Sequence, residues 1–294
     1  MTSTIGYIIS SMRIPQWIKN FFLFAPLIFA GHLFVERDLL LTLLGFLAFS
    51  IVASSIYLFN DIVDLEKDKL HPEKSHRPLP SGKLSIGIAR LAFYGLAVIG
   101  LGGSVLLGLP FAVLAFAYFV MNLAYSVRLK EVVILDVMTI SAGFVLRVGA
   151  GAVLIDVPMS EWLLICTVLL SLFLGFSKRR YEIMVLESQA NTHRSVLQYY
   201  SPYFLDQMIG IVTASTVMSY ALYTISEETI RKFHTNHLIY TVPFVLYGIF
   251  RYLYLVHKKE EGGNPTRLAV SDGPLLVNIV LWIIAASIII YGKV

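Results

Sequence analysis

The segment "NDIVDLEKDKLHPEKSHRPLPSG", residues 60–82, sets carboxylates at Asp61, Asp64 and Asp68 with Asn60 beside them. The spacing i, i+3, i+7 puts all three acids on one stripe of a helix. Like charges so placed repel by roughly a few tenths of a kcal/mol per pair unless a cation sits among them. Hard oxygen ligands without a Cys or His cluster suit Mg²⁺, which takes few carboxylates and completes its shell with water and substrate phosphates. Asp61, Asp64 and Asp68 are therefore the candidate metal ligands and catalytic acids, with Asn60 as a further ligand or hydrogen bonder. A merely solvated helix end would account for Glu66, Lys67 and Lys69 as weak exposed pairs, but not for the stripe.

Pro72, preceded by His71, is expected to stop this helix. Lys74, Arg77 and Lys83 follow in a stretch that Pro78, Pro80 and Gly82 mark as irregular backbone. Arginine grips a phosphate through two parallel hydrogen bonds, and lysine adds a mobile point charge. Acids that hold a metal, next to a loop that holds anions, describe a metal-bridged diphosphate site.

The elements that carry these residues are membrane spans. The chain of 294 residues is 57% hydrophobic and 14% charged, with mean hydropathy +0.74, unlike the mix of a soluble domain. About nine apolar runs approach the roughly 20 residues that cross a bilayer. They cover approximately 18–34, 39–59, 86–107, 111–125, 132–155, 161–176, 207–225, 237–256 and 273–291, the fourth and sixth being short. An all-α, polytopic membrane protein with one transmembrane domain over 1–294 is the expected fold class. Alternate connections hold 17 Lys and Arg on one side and 4 on the other, with Arg147 and Arg251 inside spans. Basic loops stay in the cytoplasm, so the amino terminus and the acidic stripe are expected inside and the carboxyl terminus outside. The opening residues lack the pattern of a cleaved signal peptide. Cys166 reads as a small packing residue.

Further candidates for phosphate binding are Lys130, Lys178 and Arg179 near span ends, and Lys19 and Asn20 at the edge of the first span. Arg147, inside the fifth span, is costly unless it faces a polar cavity or an acid; Asp136 lies on nearly the same face. Asp272 is placed to cap the last span. His234 and His237 stand close in sequence on the other side, with no acid adjoining them. The stretch from Arg179 to Asp206, ending in Tyr199, Tyr200, Tyr203 and Phe204, has the pattern of an interfacial segment, as lid or packing helix. Glycines at 95, 100, 102, 103 and 108 are expected to allow close helix approach. No Walker-type phosphate loop is present.

The pattern Asn60, Asp61, Asp64, Asp68, then Arg77, Pro78 and Gly82, resembles the first signature of the UbiA superfamily of intramembrane prenyltransferases, N-D-x-x-D-x-x-x-D with a basic loop ending R-P-x-x-x-G. The resemblance implies a helical bundle with a polar cavity open to the cytoplasm. Where aromatic prenyltransferases of that superfamily carry a second acidic motif, this chain has "SKRRYEIMVLES", with Lys178, Arg179, Arg180, Tyr181 and Glu182. That departure, with "RIPQWIKNFFLFAPL" and "YSVRLKEVVILDV", is similar to the decaprenyl-phosphate phosphoribosyltransferase branch. The branch implies Mg²⁺-dependent transfer of ribose 5-phosphate from phosphoribosyl diphosphate to a polyprenyl phosphate, for cell-envelope glycan precursors. Its implied partners are those two substrates and the lipid bilayer, without nucleic acid and with the oligomeric state open. An aromatic prenyltransferase of the same fold and an ion-coupled transporter are the alternatives; the absence of an evident internal repeat and the position of the acids beyond the bilayer midplane disfavour the transporter.

Overall fold

A computed structural model describes residues 4–70, 74–186, 195–258, 268 and 271–292. The expected stop at His71 and Pro72 lies outside these residues. The elements are helices: α1 (Thr4–Ser11), α2 (Phe24–Phe29), α3 (Glu36–Val63), α4 (Leu65–Lys69), α5 (Ile86–Leu106), α6 (Leu109–Val127), α7 (Leu135–Leu154), α8 (Glu161–Leu186), α9 (Pro202–Ile225), α10 (Glu227–Phe233), α11 (Val242–Lys258) and α12 (Gly273–Tyr291), with 3₁₀ segments that include Ile14–Leu23 and His237–Thr241. Among the described residues, eight helices are long and apolar enough to cross a membrane, and the protein is an integral membrane protein.

The first expected span is built differently from the others. Pro15 opens a ten-residue 3₁₀ segment, Ile14–Leu23, which runs directly into the six-residue α2. At about 2.0 Å per 3₁₀ residue and 1.5 Å per α residue the two reach nearly 30 Å, comparable with the hydrocarbon core. The short fourth and sixth spans are longer helices than their apolar runs: α6 covers Leu109–Val127, and α8 continues through the charged group to Leu186.

The helices form two compact units, Met1–Met159 with Gln189–Gln198, and Ser160–Ser188 with Tyr199–Val294. In the first, α3 packs against α5, α6, α7 and the Ile14–Leu23 segment. Leu23, Leu27, Phe49, Val52, Phe111 and Leu154 are buried in its core. Gly100 on α5 allows the close approach expected of it: a Cβ there would lie 2.7 Å from Val52 Cγ2 and 2.9 Å from its backbone nitrogen. Gly95 and Gly102 meet nothing within 4 Å. Leu79 and Leu84, 4% and 2% exposed, anchor the loop after α4, while Gly82, at φ 75°, turns it so that the Leu84 amide donates to the Pro78 carbonyl at 2.9 Å.

In the second unit Asp272 caps α12 as expected, accepting from the Leu275 amide at 3.0 Å. It also holds Arg251 at 3.0 and 2.8 Å, which accounts for that intramembrane cation. Asp272→Ala removes a cap worth about 1 kcal/mol and strands the guanidinium, so thermal unfolding in detergent should shift down by several degrees. His234 closes α10 in a left-handed conformation, and the His237 ring lies against Tyr240.

Candidate active site

The acidic stripe continues a longer polar seam. Ser50, Ser54, Tyr57, Asp61, Asp64 and Asp68 follow one another at alternating steps of four and three residues, the spacing that keeps one helix face turned toward one neighbour. That neighbour is the Ile14–Leu23 segment. Asn20 Nδ2 donates to Ser50 Oγ at 2.8 Å, Trp17 Nε1 donates to Ser54 Oγ at 3.0 Å, and Ser54 Oγ donates to the Met12 carbonyl at 3.1 Å.

At the end of the seam the three expected metal ligands divide two and one. Asp61 and Asp68 are each 2% exposed, and both accept from the same Arg77 nitrogen, at 3.2 and 2.9 Å. Arg13 also pairs with Asp61, and Lys74 lies 3.3 Å from Asp68. Asp64 turns aside to Lys130, itself 4% exposed. The division has a backbone cause: α3 ends at Val63 and Asp64, with φ −91° and ψ 8°, joins it to α4. Among the described residues, no three His, Cys, Asp or Glu side chains gather closely enough to hold a metal ion. Asn60 gives its carbonyl to the Asp64 amide at 2.9 Å. Glu66, Lys67 and Lys69 form the exposed pairs expected of a solvated surface, Lys69 with Glu66 at 2.7 Å and Lys67 with Glu131 at 3.0 Å.

Three carboxylates thus meet four cations, Arg13, Lys74, Arg77 and Lys130. Burial, then the neighbouring Arg13, lower the Arg77 pKa from its ordinary value, while Asp61 and Asp68 oppose that shift; the guanidinium stays protonated at any physiological pH. Two buried acids that converge on one cationic atom are arranged as ligands of a divalent cation would be, so the donor set fits Mg²⁺.

Farther along the seam, Arg147 is 4% exposed. Its nitrogens donate to Asn20 Oδ1 at 2.7 Å, the Gly143 carbonyl at 2.8 Å and Tyr118 Oη at 2.8 Å. Its guanidinium lies over the rings of Tyr118, Phe144 and Phe49 at 4.6, 5.2 and 5.6 Å. Asp136 on the same helix is fully buried, but the Arg147 hydrogen bonds run to neutral groups. Lys19 is half-buried beside this group.

Lys178, Arg179, Tyr181 and Glu182 belong to the second unit. They ride on α8, because the helix outlasts the apolar run of the sixth span. Arg179, 1% exposed, pairs with Glu182, and Lys178 lies 3.9 Å from the same carboxylate. Of the expected interfacial segment, 179–186 belongs to α8 and 187–194 lies outside the described residues; Arg180 ties α8 to Asp206 on α9.

Arg13 is the functional candidate that sequence reasoning passed over. It has a left-handed backbone at φ 53°, uncommon for a residue with a side chain, and its guanidinium lies between Asp61 and the face of Tyr57, 5.1 Å from the ring centre.

A model described as the UbiA prenyltransferase family matches residues 20–270. The chain belongs to the UbiA prenyltransferase family. The resemblance drawn from Asn60 through Gly82 is thereby borne out. Among UbiA-family relatives, the decaprenyl-phosphate phosphoribosyltransferase of Corynebacterium glutamicum is 32% identical over 96% of this chain and 86% of its own. The enzyme of the same name from Mycolicibacterium smegmatis is 30% identical over 97% and 92%. The fold matches a UbiA homolog from Archaeoglobus fulgidus, solved bound to GPP and Mg²⁺, with TM-score 0.75 and 18% identity over 97% of this chain and 99% of that one.

Proposed function

We propose that this protein transfers the 5-phosphoribosyl group from phosphoribosyl diphosphate to a polyprenyl phosphate, with release of diphosphate. The observation that carries this reading is the charge pattern on one seam: two convergent buried carboxylates at one end, and farther along an arginine whose hydrogen bonds reach neutral groups alone. A single prenyl diphosphate needs the first feature; two substrates with three phosphorylated groups between them use both. The names of the relatives that span most of the chain point the same way.

Asp61 and Asp68 would hold Mg²⁺, with Asn60 and Asp64 beside them. A bound Mg²⁺ supplies charge neutralisation of the diphosphate leaving group. Arg77, Lys74 and Arg13, which now neutralise the acids, lie where they can turn to the diphosphate oxygens, and Lys130 accompanies Asp64. As the ribose C1–O bond breaks, the sugar carbon takes on oxocarbenium character, and the acceptor phosphate attacks its opposite face. That phosphate, with a second pKa of about 6, is already largely ionised, so no strong general base is needed. Rate enhancement comes from position and fixed charge. Lys178, Arg179, Tyr181 and Glu182, the further expected anion binders, lie on α8 in the second unit, where Glu182 pairs with Arg179.

The excess of Lys and Arg in alternate connections supports an amino terminus and site on the cytoplasmic face and a carboxyl terminus outside. The product would serve as a precursor of cell-envelope glycans.

The test uses purified full-length protein with Mg²⁺ and two labelled donors. Label passing from phosphoribosyl diphosphate into lipid is expected, and lost with EDTA. Label passing only from a prenyl diphosphate into an aromatic acid would replace this reading with that of a ring prenyltransferase.

A further inference from the structure

We infer that Lys19 and Arg147, positioned by Asn20 and Tyr118, form a second anion receptor that takes a phosphate monoester, separate from the acid cluster that takes the metal and diphosphate.

A cation in a membrane-spanning helix is costly, and such residues ordinarily reach an acid or line a polar cavity. Arg147 is 4% exposed, yet its three hydrogen bonds go to an amide, a backbone carbonyl and a phenol. These partners orient the fork without discharging it. Asn20 is itself held by Ser50, and because a guanidinium only donates, it is the Asn20 carbonyl oxygen that faces Arg147.

Lys19 is the second cation. Its Nζ makes no hydrogen bond or ion pair with any described residue, and the charged neighbours acting on it are Arg147 and Arg13. Arg13 is answered by Asp61; among the described residues no carboxylate pairs with Lys19 or Arg147. Two positive charges, Arg147 and the Lys19 that adjoins its partner Asn20 in the chain, match a phosphate monoester, which carries about −1.5 to −2 near neutral pH. A metal-bound diphosphate is poorly matched, because among the described residues no carboxylate hydrogen-bonds to Arg147 or Lys19 to share the ion. The two sites are also apart: Asn20 is fastened at Ser50, eleven residues before Asp61 on α3, or about three helical turns. The monoester chemistry is common to the donor's 5-phosphate and the acceptor's lipid phosphate. Only the choice between them rests on the phosphoribosyl reading; the receptor itself rests on the geometry.

The test is thermal stabilisation of the purified full-length protein by inorganic phosphate, with EDTA present so that no metal carries anions to the acids. Wild type is expected to be stabilised. Lys19→Gln and Arg147→Gln should each weaken the apparent phosphate affinity about tenfold or more, the loss of a charge-assisted contact. Lys19→Gln is the decisive variant, since it removes no hydrogen bond or ion pair with any described residue and should unfold without phosphate at or above the wild-type temperature. Ribose 5-phosphate and decyl phosphate are then compared in the same assay. Weakening of the first alone assigns the donor, of the second alone the acceptor, and of both a receptor open to either. Unchanged affinity for all three anions in Lys19→Gln overturns the proposal. No transfer reaction enters the assay, so failure of phosphoribosyl transfer and failure of this receptor are separate results.

Discussion

Asp68→Asn is expected to lower kcat/KM for transfer by about 10²–10³-fold or more, the scale seen when one preorganised electrostatic contact to a reacting group is removed, while the protein stays folded. The asymmetry between the two convergent acids makes this the cleaner of the pair. Asp68 shares Arg77 with Asp61 and otherwise meets Lys74, which is 31% exposed and can turn to water. Arg77 keeps its contact with Asp61 when Asp68 is neutralised. Asp61→Asn instead weakens the hold on Arg13 and Arg77 together, and breaking one side of a buried pair carries its own stability cost. Asp61→Asn should therefore lose both activity and unfolding temperature; Asp68→Asn should lose activity alone. Measured turnover at saturating Mg²⁺, alongside thermal unfolding, checks the contrast. Wild-type turnover in Asp68→Asn would remove that residue from the metal site.

Gly151→Ala is expected to destabilise the protein by about 1–3 kcal/mol, as overpacking does in a close-packed interior, and to weaken substrate binding with it. A Cβ at Gly151 would run into the Leu23 carbonyl oxygen and lie 2.9 and 3.0 Å from the Leu23 carbonyl carbon and Cα. These are backbone atoms, which cannot swing aside as the end of a side chain can. The displaced backbone is the segment that carries Lys19 and Asn20, so strain at α7 is transmitted to the groups proposed to bind phosphate. Gly95→Ala is the comparison. That glycine lies in α5 and its Cβ would meet nothing within 4 Å, so substitution should be neutral or stabilising by up to about 1 kcal/mol through helix propensity. Unfolding of both variants in one detergent, with donor KM, tests whether contact with Leu23 is what matters.

The acidic stripe was legible because three carboxylates in an apolar chain have few explanations, and helical period alone puts them on one face. Their two-and-one division was not, since it depends on a backbone break at Asp64 and on a lysine 66 positions away. Ser50 and Ser54 were equally hidden: a serine in a span reads as small and packable until its hydrogen-bond partner is known. Arg13 was counted only toward topology. Its role requires a left-handed turn that brings it to Asp61, 48 residues along the chain, and no local pattern announces that. The group Lys178 to Glu182 was placed beyond the sixth span because hydropathy falls there. Hydropathy marks where the bilayer ends, whereas hydrogen bonding carries α8 on to Leu186. Arg147 was recognised as exceptional, and its lean toward Gly143, four residues earlier, follows the direction side chains take on any helix.

The 4–3 rhythm of Ser50, Ser54, Tyr57, Asp61, Asp64 and Asp68 makes α3 an indexing shaft. One inserted residue between Ser54 and Asp61 would rotate every acid by about 100° relative to the serines, carrying the carboxylates off Arg13 and Arg77 while the hydroxyls kept hold of Trp17 and Asn20. Lengthening this helix without uncoupling its two ends therefore requires whole seven-residue steps, whatever side chains fill them.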